Sequence, residues 1–219
     1  MPLEHIKIDT GDHPACCVIW LHGLGADGHD FVDLPNMLKL PPDRSVRYIF
    51  PHAPVRPITL NGGVSMRGWY DLLSLDLQND EDAQGLEESS IMLAELIDEQ
   101  VKQGISTEKI LLGGFSQGGA LSLYHGLCHS KSLAGLVGLS TYLPLPDRLS
   151  HHRNIMSHNV PIFMGHGCYD SVIPSDYGKS SRDILQKHGY TVTWRQYPMD
   201  HSICESEIQD MSNFLLRCF

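Results

Sequence analysis

The chain has 219 residues, of which 42% are hydrophobic and 19% are charged, and its formal net charge is −10. This length predicts one domain over residues 1–219, large enough to bury a core without disulfides or metals. An acidic balance without a basic cluster argues against binding to nucleic acid. No run of about 18 apolar residues occurs, so we expect no stable membrane insertion.

In chain order, the predicted elements are short apolar strands alternating with longer amphipathic helices. They are strands 16–21 and 46–50, helix 86–103, strand 110–115, helix 120–127, strands 136–139 and 160–164, helix 176–188, strand 192–197, and a last helix marked by Ile208, Met211 and Leu215. Helix 86–103 would bury one face through Ile91, Ala94, Ile97 and Val101. The alternation predicts an α/β fold with a doubly wound, mostly parallel sheet in a single domain.

Residues 61–82 fit neither pattern. They include seven large apolar or aromatic residues with few regular spacings: Met66, Trp69, Tyr70, Leu72, Leu73, Leu75 and Leu77. A connection of this length inside a compact domain is usually a lid or a binding loop. The alternative is an ordinary excursion that packs over the sheet.

Cysteine usage and the amino terminus bear on the compartment. The six cysteines form no Cys-x-x-Cys pair, and Cys16 and Cys17 lie side by side in an apolar run, as expected of buried thiols. Residues 1–12 lack the basic and then apolar pattern of a secretory signal. We therefore expect a cytoplasmic protein, and a homodimer stays open as its oligomeric state.

The segment Gly114-Phe115-Ser116-Gln117-Gly118 matches the pattern G-x-S-x-G between a predicted strand and a predicted helix. Such a turn lifts the serine hydroxyl above the sheet edge, and a Cβ at either flanking glycine would clash with the crowded backbone. The motif predicts Ser116 as a nucleophile. It also directs the Gln117 N–H, at the start of the helix, towards a developing anion.

A serine nucleophile needs a base, and in this arrangement an acid and then a histidine follow it along the chain. His188 and His201 are the candidates for the base. His188 ends a helix, whereas His201 follows a strand and lies on the same rim of the sheet as the serine, so His201 is predicted. Asp170 is predicted as the orienting acid over Asp200, because neighbouring side chains on a loop rarely meet face to face.

The first predicted strand ends in His22-Gly23-Leu24-Gly25, and the Leu24 N–H is our candidate for the second oxyanion donor. The same stretch fits Gly23-x-Gly25-x-x-Gly28, a dinucleotide pattern that would indicate a nicotinamide-dependent oxidoreductase. That alternative needs an acidic residue after the second strand, where the chain has Pro51-His52. No cofactor and no metal are predicted, and a loop with exposed histidines is favoured over a metal site at His151, His152 and His158.

Together, these motifs resemble the phospholipase/carboxylesterase family, which includes acyl-protein thioesterases, lysophospholipase-like proteins and bacterial carboxylesterases. The matching segments are residues 19–25, 50–54, 69–71 and 113–119, and His166-Gly167 with Asp170. The resemblance implies an α/β-hydrolase fold and a triad of Ser116, Asp170 and His201. It also implies that residues 61–82 shape an acyl channel, with Met66, Trp69, Leu72 and Leu73 at the matching apolar positions.

One position departs from the family. Asp200 stands where the family usually has the glycine before its catalytic histidine, which would cost stability if that position needs a positive φ. A carboxylate there would also act on the charge of His201.

We therefore expect a cofactor-free serine carboxylesterase that forms an acyl-enzyme on a small acyl ester or on an acylated lipid or protein. The alternatives are acyl-protein thioesterase or lysophospholipase as the main activity, and a hydrolase fold kept only as a binding module.

Overall fold

The structure is a computed structural model that describes residues 3–41, 43–74, 76–77, 80–128, 131–150 and 159–219. Its strands are β1 (His5–Asp9), β2 (Cys16–Leu21), β3 (Val46–Pro51), β4 (Val55–Ile58), β5 (Val64–Arg67), β6 (Ile110–Phe115), β7 (Gly135–Leu139), β8 (Ile162–Gly167) and β9 (Val192–Tyr197). Its α-helices are α1 (Leu34–Leu38), α2 (Ala83–Lys102), α3 (Gln117–Cys128), α4 (Ser175–Lys187) and α5 (Glu205–Cys218).

Within the described part of the chain, seven strands form one sheet in the order β1-β3-β2-β6-β7-β8-β9. Every neighbouring pair is parallel except β1 with β3. Side chains of α2, α3 and α4 pack on one face and those of α1 and α5 on the other. Because both faces are covered, β2, β3 and β8 are buried at every position, which is why they appear in the sequence as continuous apolar runs. The predicted fold class is confirmed.

Several elements differ from the sequence prediction. The strand predicted at 160–164 begins at Ile162, after Pro161, which has no N–H to donate, and it continues to Gly167 by pairing with β9. Strand β1, helix α1 and the two-stranded hairpin of β4 and β5 were not predicted. Each is short, and β1 and the hairpin are only partly buried, so neither leaves a long apolar run in the sequence.

The buried face of α2 is another correction. Ile97 is buried as predicted, but Ile91 is 55% exposed. Polar Ser89 and Gln100 take buried positions instead, because Ser89 Oγ donates to the Trp69 carbonyl and the Gln100 side chain accepts a hydrogen bond from Arg47. Hydrophobic periodicity alone could not identify a stripe that includes satisfied polar groups.

Residues 61–82 combine the two interpretations considered above. The segment starts in the hairpin, and residues 68–74 then run without regular structure apart from a bridge between Leu72 and Glu81. Trp69 and Tyr70 are buried in the core, so this part packs over the sheet. Other side chains of the segment line a cavity described below.

Among the described residues, none of the helices combines the length and the hydrophobicity that a membrane-spanning helix requires. The six cysteines are free thiols. The three histidines at positions 151, 152 and 158 lie outside the described residues, so the loop predicted for them stays a prediction.

A buried carboxyl group lies between α5 and the sheet. Glu207 is fully buried, and neither of its carboxyl oxygens has a hydrogen-bond partner among the described residues. Its Oε1 occupies the space that a side chain at Gly165 would need. Burial raises the pKa of Glu207 to about 8, so the folded protein holds a proton there that the unfolded chain releases at a much lower pH.

This shift predicts how stability depends on pH. The pKa of Glu207 is higher in the folded state, so its contribution to the free energy of unfolding is fully present below the pKa of the unfolded chain. That contribution is lost as the pH rises to about 8, at about 1.4 kcal/mol per pH unit. Glu207→Gln, which cannot ionise, should therefore gain in melting temperature relative to wild type as the pH rises from 5 to 8. The exposed Glu205→Gln on the same helix is the control. Parallel melting curves for wild type and Glu207→Gln would contradict the prediction.

Candidate active site

Ser116 occupies a sharp turn between β6 and α3. Its φ is +55°, a conformation that residues other than glycine rarely adopt. A Cβ at Gly114 would lie 2.5 Å from the Gly118 carbonyl carbon, and one at Gly118 would run into the Leu21 and His22 carbonyls. The two flanking glycines are therefore required by close backbone packing, as the sequence motif predicted.

The strained turn is held by three hydrogen bonds of the Ser116 backbone. Its N–H donates to the Leu139 carbonyl at 2.9 Å. Its own carbonyl accepts from the Ala120 N–H at 3.1 Å and from the Thr141 hydroxyl at 2.7 Å. These bonds tie the turn to the end of β7 and the first turn of α3, which fixes the direction of the serine hydroxyl.

The structure brings Ser116, His201 and Asp170 together in one hydrogen-bonded line. Their loops follow β6, β9 and β8, and the carboxyl ends of parallel strands share one edge of the sheet. Ser116 Oγ lies 3.0 Å from His201 Nε2, and His201 Nδ1 lies 2.7 Å from Asp170 Oδ2. With Nδ1–H donating to the carboxylate, Nε2 is free to accept the serine proton. The other candidate, His188, ends α4, where its Nδ1 lies 2.9 Å from the Ile184 carbonyl.

The Asp170 carboxylate is enclosed and satisfied on both oxygens. Its side chain has no exposed surface, and Oδ1 accepts from the Val172 and Ile173 N–H groups at 2.9 and 2.8 Å. His166 belongs to a segment that carries the family resemblance, but no role was predicted for its side chain. Its Nε2 lies 2.8 Å from the Ile173 carbonyl and 3.4 Å from Asp170 Oδ2. Burial lowers the pKa of His166, so it stays neutral and leaves the negative charge of Asp170 for His201.

Asp200 takes no part in this line. It is exposed, and its backbone carbonyl accepts a hydrogen bond from the Ser202 N–H at 3.0 Å. Asp200 does not have a positive φ, so the conformational cost considered for a non-glycine residue here does not arise. Nothing in the backbone conformation requires the glycine that is usual in the family.

Leu24 and Gln117 lie beside Ser116 on the wall of one cavity. Among the described residues, neither backbone N–H donates to a protein acceptor, so both remain available to a developing oxyanion. The turn that carries Leu24 is braced by the buried His22, whose Nδ1–H donates to the Gly23 carbonyl at 2.7 Å while Nε2 accepts from the Ala53 N–H at 3.0 Å. This bracing role was not predicted.

The Gln117 side chain joins the nucleophile turn to residues 68–74. Its Oε1 accepts from the Trp69 N–H at 2.8 Å, and its Nε2 donates to the Tyr70 carbonyl at 2.7 Å. The Trp69 indole N–H in turn donates to the His22 carbonyl at 2.9 Å. The sequence motif identified the backbone of Gln117, but gave no signal for its side chain, because the partners are backbone groups distant in the chain.

The cavity in front of Ser116 has a volume of about 420 Å³ and mostly apolar walls. Its apolar lining includes Leu60, Leu72, Leu77, Val172 and Ile173. Of the four residues predicted to contact an acyl chain, only Leu72 belongs to the lining.

The other three predicted acyl contacts lie outside the cavity lining. Trp69 is fully buried, with its indole N–H bonded inside the protein, so it belongs to the core. Met66 lies on β5, where its sulfur is 3.5 Å from the Asn61 side-chain nitrogen. Leu73 follows Leu72 in the chain, but only Leu72 belongs to the lining.

One group of metal-ligand residue types occurs in the described part of the chain, with candidate ligand atoms within 4.8 Å of one another: Asp27, His29 and His52. Their atoms already serve as hydrogen-bond partners. Asp27 Oδ1 accepts from the His29 N–H and lies 2.9 Å from its Nδ1, and His52 Nδ1 accepts from the Gly28 N–H at 3.1 Å. The Gly28 position of the dinucleotide pattern is likewise used by the fold, because a Cβ there would run into the Phe50 carbonyl.

Comparisons with known proteins extend over nearly the whole chain. Residues 4–219 match the family model described as Phospholipase/Carboxylesterase. Acyl-protein thioesterase 1 of Cryptococcus neoformans var. neoformans serotype D is 39% identical over 233 residues, covering 98% of this chain and 97% of that protein. Among solved structures, Arabidopsis thaliana SOBER1 is 28% identical with a TM-score of 0.87, covering 93% of this chain and 98% of the other. Zea mays acyl-protein thioesterase 2 is 27% identical with a TM-score of 0.86, covering 98% of both chains.

Proposed function

The chain belongs to the phospholipase/carboxylesterase family and is a serine hydrolase of ester or thioester bonds, and we propose that Ser116, His201 and Asp170 are its catalytic residues and that S-acylated proteins are its preferred substrates. The observation that carries the proposal is the chain of hydrogen bonds from Ser116 Oγ through the His201 ring to the buried Asp170 carboxylate. Ser116 and His201 line an apolar cavity.

In the acylation step, Ser116 Oγ attacks the acyl carbonyl carbon while His201 Nε2 takes the serine proton. Asp170 keeps Nδ1–H directed at its carboxylate and stabilises the imidazolium that forms. The oxyanion accepts hydrogen bonds from the Leu24 and Gln117 N–H groups, each worth about 3 kcal/mol in comparable sites. His201 then protonates the departing thiolate or alkoxide, and the acyl group remains on Ser116.

In the deacylation step, a water molecule loses a proton to His201 Nε2 and attacks the acyl-serine carbonyl. The same two backbone N–H groups hold the second oxyanion. Collapse of this intermediate breaks the ester bond to Ser116 as His201 returns the proton, so the products are a fatty acid and the free enzyme. No group outside the chain and water is required.

The choice of acyl-protein substrates rests on two lines of support. The Cryptococcus and maize proteins are both named acyl-protein thioesterases. The cavity has the character needed to take up a hydrocarbon chain, and burying each methylene group contributes about 0.8 kcal/mol. We also propose a cytoplasmic location, for which the six free thiols give support.

A direct comparison of substrates tests this proposal. A cysteine peptide carrying a palmitoyl thioester, the matched serine peptide carrying the oxyester, and a palmitoyl lysophospholipid are supplied to the purified protein. We expect the thioester peptide to have the highest kcat/KM, measured by release of free thiol and of palmitate. A higher kcat/KM for the lysophospholipid would make lysophospholipase the main activity, and no hydrolysis of any of them would leave a binding module.

Leu72 offers a test of the acyl cavity. Leu72→Ala should lower kcat/KM for dodecanoyl esters more than for acetyl esters. Only the longer acyl chain reaches the Leu72 side chain, so only its apolar contact is removed by the substitution. The measurement is kcat/KM across esters from acetyl to dodecanoyl, with melting temperatures alongside.

Leu73→Ala is the matched control, because it removes the same side chain one position away and outside the cavity lining. Its chain-length profile should run parallel to that of wild type. If Leu73→Ala and not Leu72→Ala changed the profile, the cavity wall would be assigned wrongly.

A further inference from the structure

Phe115 lies directly before the nucleophile and packs against His201. The two ring centroids are 4.7 Å apart and the ring planes are inclined by 50°. Both side chains line the cavity in front of Ser116, and the His201 side chain is only 16% exposed. The Phe115 ring therefore contacts the imidazole in a place where water screens the interaction weakly.

The position of the Phe115 ring is fixed by other aromatic groups. The centroid of the Phe31 ring lies 6.4 Å from that of the Phe115 ring, and the centroid of the Trp20 ring lies 5.7 Å from that of the Phe31 ring. On another side, a Cβ at Gly23 would lie 3.5 Å from Phe115 Cδ1, so the backbone of the oxyanion turn passes close to the ring. Phe115 cannot move away from His201 without disturbing these neighbours.

We propose that Phe115 is a positioning residue that favours the charged, imidazolium form of His201 through a cation–π interaction. An aromatic ring carries negative charge density on its faces, and it attracts a cation whose distance to the ring centroid is within about 6 Å. His201 becomes positively charged in each step where it holds a transferred proton, so the interaction strengthens as the transition state forms. The inference rests on the proposed role of His201 as the base.

Other charged or titratable groups lie around His201, and each stays constant when the Phe115 ring is altered. Asp170 is bonded to Nδ1, and the neutral His166 lies behind that carboxylate. Asp30 lines the same cavity, and Asp200 precedes His201 in the chain. Because none of these groups changes when only the Phe115 ring is altered, a change in pH dependence is due to the ring.

Stepwise fluorination of Phe115 tests the interaction. Mono-, di- and trifluorophenylalanine withdraw charge density from the ring face with little change in volume. We expect the plateau value of kcat/KM to fall stepwise, by about fivefold at trifluorophenylalanine, and the midpoint of the acidic limb of the pH profile to move down by about 0.7 of a pH unit. Phe115→Leu, which removes the ring, should change both quantities in the same directions.

Trifluorophenylalanine at Phe163, a core residue outside the cavity, is the control and should leave the pH profile unchanged. A fall in rate without movement of the midpoint, or no change in either, would overturn the inference and leave Phe115 a packing role. That result differs from failure of the proposed function, in which His201→Gln would keep its rate of hydrolysis.

Discussion

Replacing Ser116 with alanine is expected to lower hydrolysis of every acyl substrate by about 10⁴-fold or more, because the variant has no atom that can form the acyl-enzyme. The fold should persist. The three hydrogen bonds that hold the turn use the Ser116 backbone, and alanine keeps them. Within the described ranges, the hydroxyl itself is bonded only to His201 Nε2. We therefore expect a melting temperature close to that of wild type.

A fluorophosphonate probe separates loss of the nucleophile from loss of the fold. The probe should label wild type at Ser116 and should not label Ser116→Ala. Ser122→Ala is the control, since Ser122 lies on α3, the helix that follows Ser116, and its hydroxyl donates to the Gly118 carbonyl. That variant should keep both labelling and turnover. Labelling of Ser116→Ala at another serine, or turnover by it, would refute the assignment of the nucleophile.

The meeting of Ser116, His201 and Asp170 at one edge of the sheet could be predicted from sequence because the constraints on each residue are local. Ser116 is bracketed by glycines that the backbone requires, and Asp170 and His201 each follow a strand that the sequence predicts. In a parallel sheet, knowing that a residue follows a strand is enough to place it at one edge. The contacts between the side chains at that edge therefore need not be known in advance to bring these residues together.

The cavity wall could not be predicted in this way. Trp69 and Leu72 are both large and apolar and lie three positions apart, yet Trp69 is core and Leu72 lines the cavity. What separates them is a set of hydrogen bonds: Trp69 donates to the Gln117 side chain and to the His22 carbonyl, and its own carbonyl accepts from the Ser89 hydroxyl. All three partners are distant in the chain. Composition shows that such a segment must bury apolar surface, but not whether a substrate or the core will cover it.

Asp170→Asn is expected to lower kcat by on the order of 10³–10⁴-fold, as loss of the orienting acid does in other triads. Its Oδ1 accepts from the Val172 and Ile173 N–H groups, so the asparagine oxygen is held there and its NH₂ group faces His201. Two donors would then oppose each other, unless the imidazole moves its proton to Nε2. That tautomer cannot accept the serine proton, so the variant should fold but turn over slowly.

Asp200→Asn is the matched control, because it makes the same chemical change one residue before His201. Asp200 is exposed, and among the residues that the structure describes only its backbone carbonyl takes part in a hydrogen bond, so the variant should keep most of its kcat. Comparison of kcat for the two variants, with melting temperatures to exclude unfolding, decides which carboxylate orients the base. If the large loss followed Asp200→Asn instead, Asp200 would orient the base, and Asp170, whose carboxylate lies 2.7 Å from Nδ1, would have a structural role. We do not expect this result, because Asp200 is exposed and a charge pair in contact with solvent contributes about 1 kcal/mol or less. Losing such a pair is too small a change to explain a loss of 10³-fold or more in kcat.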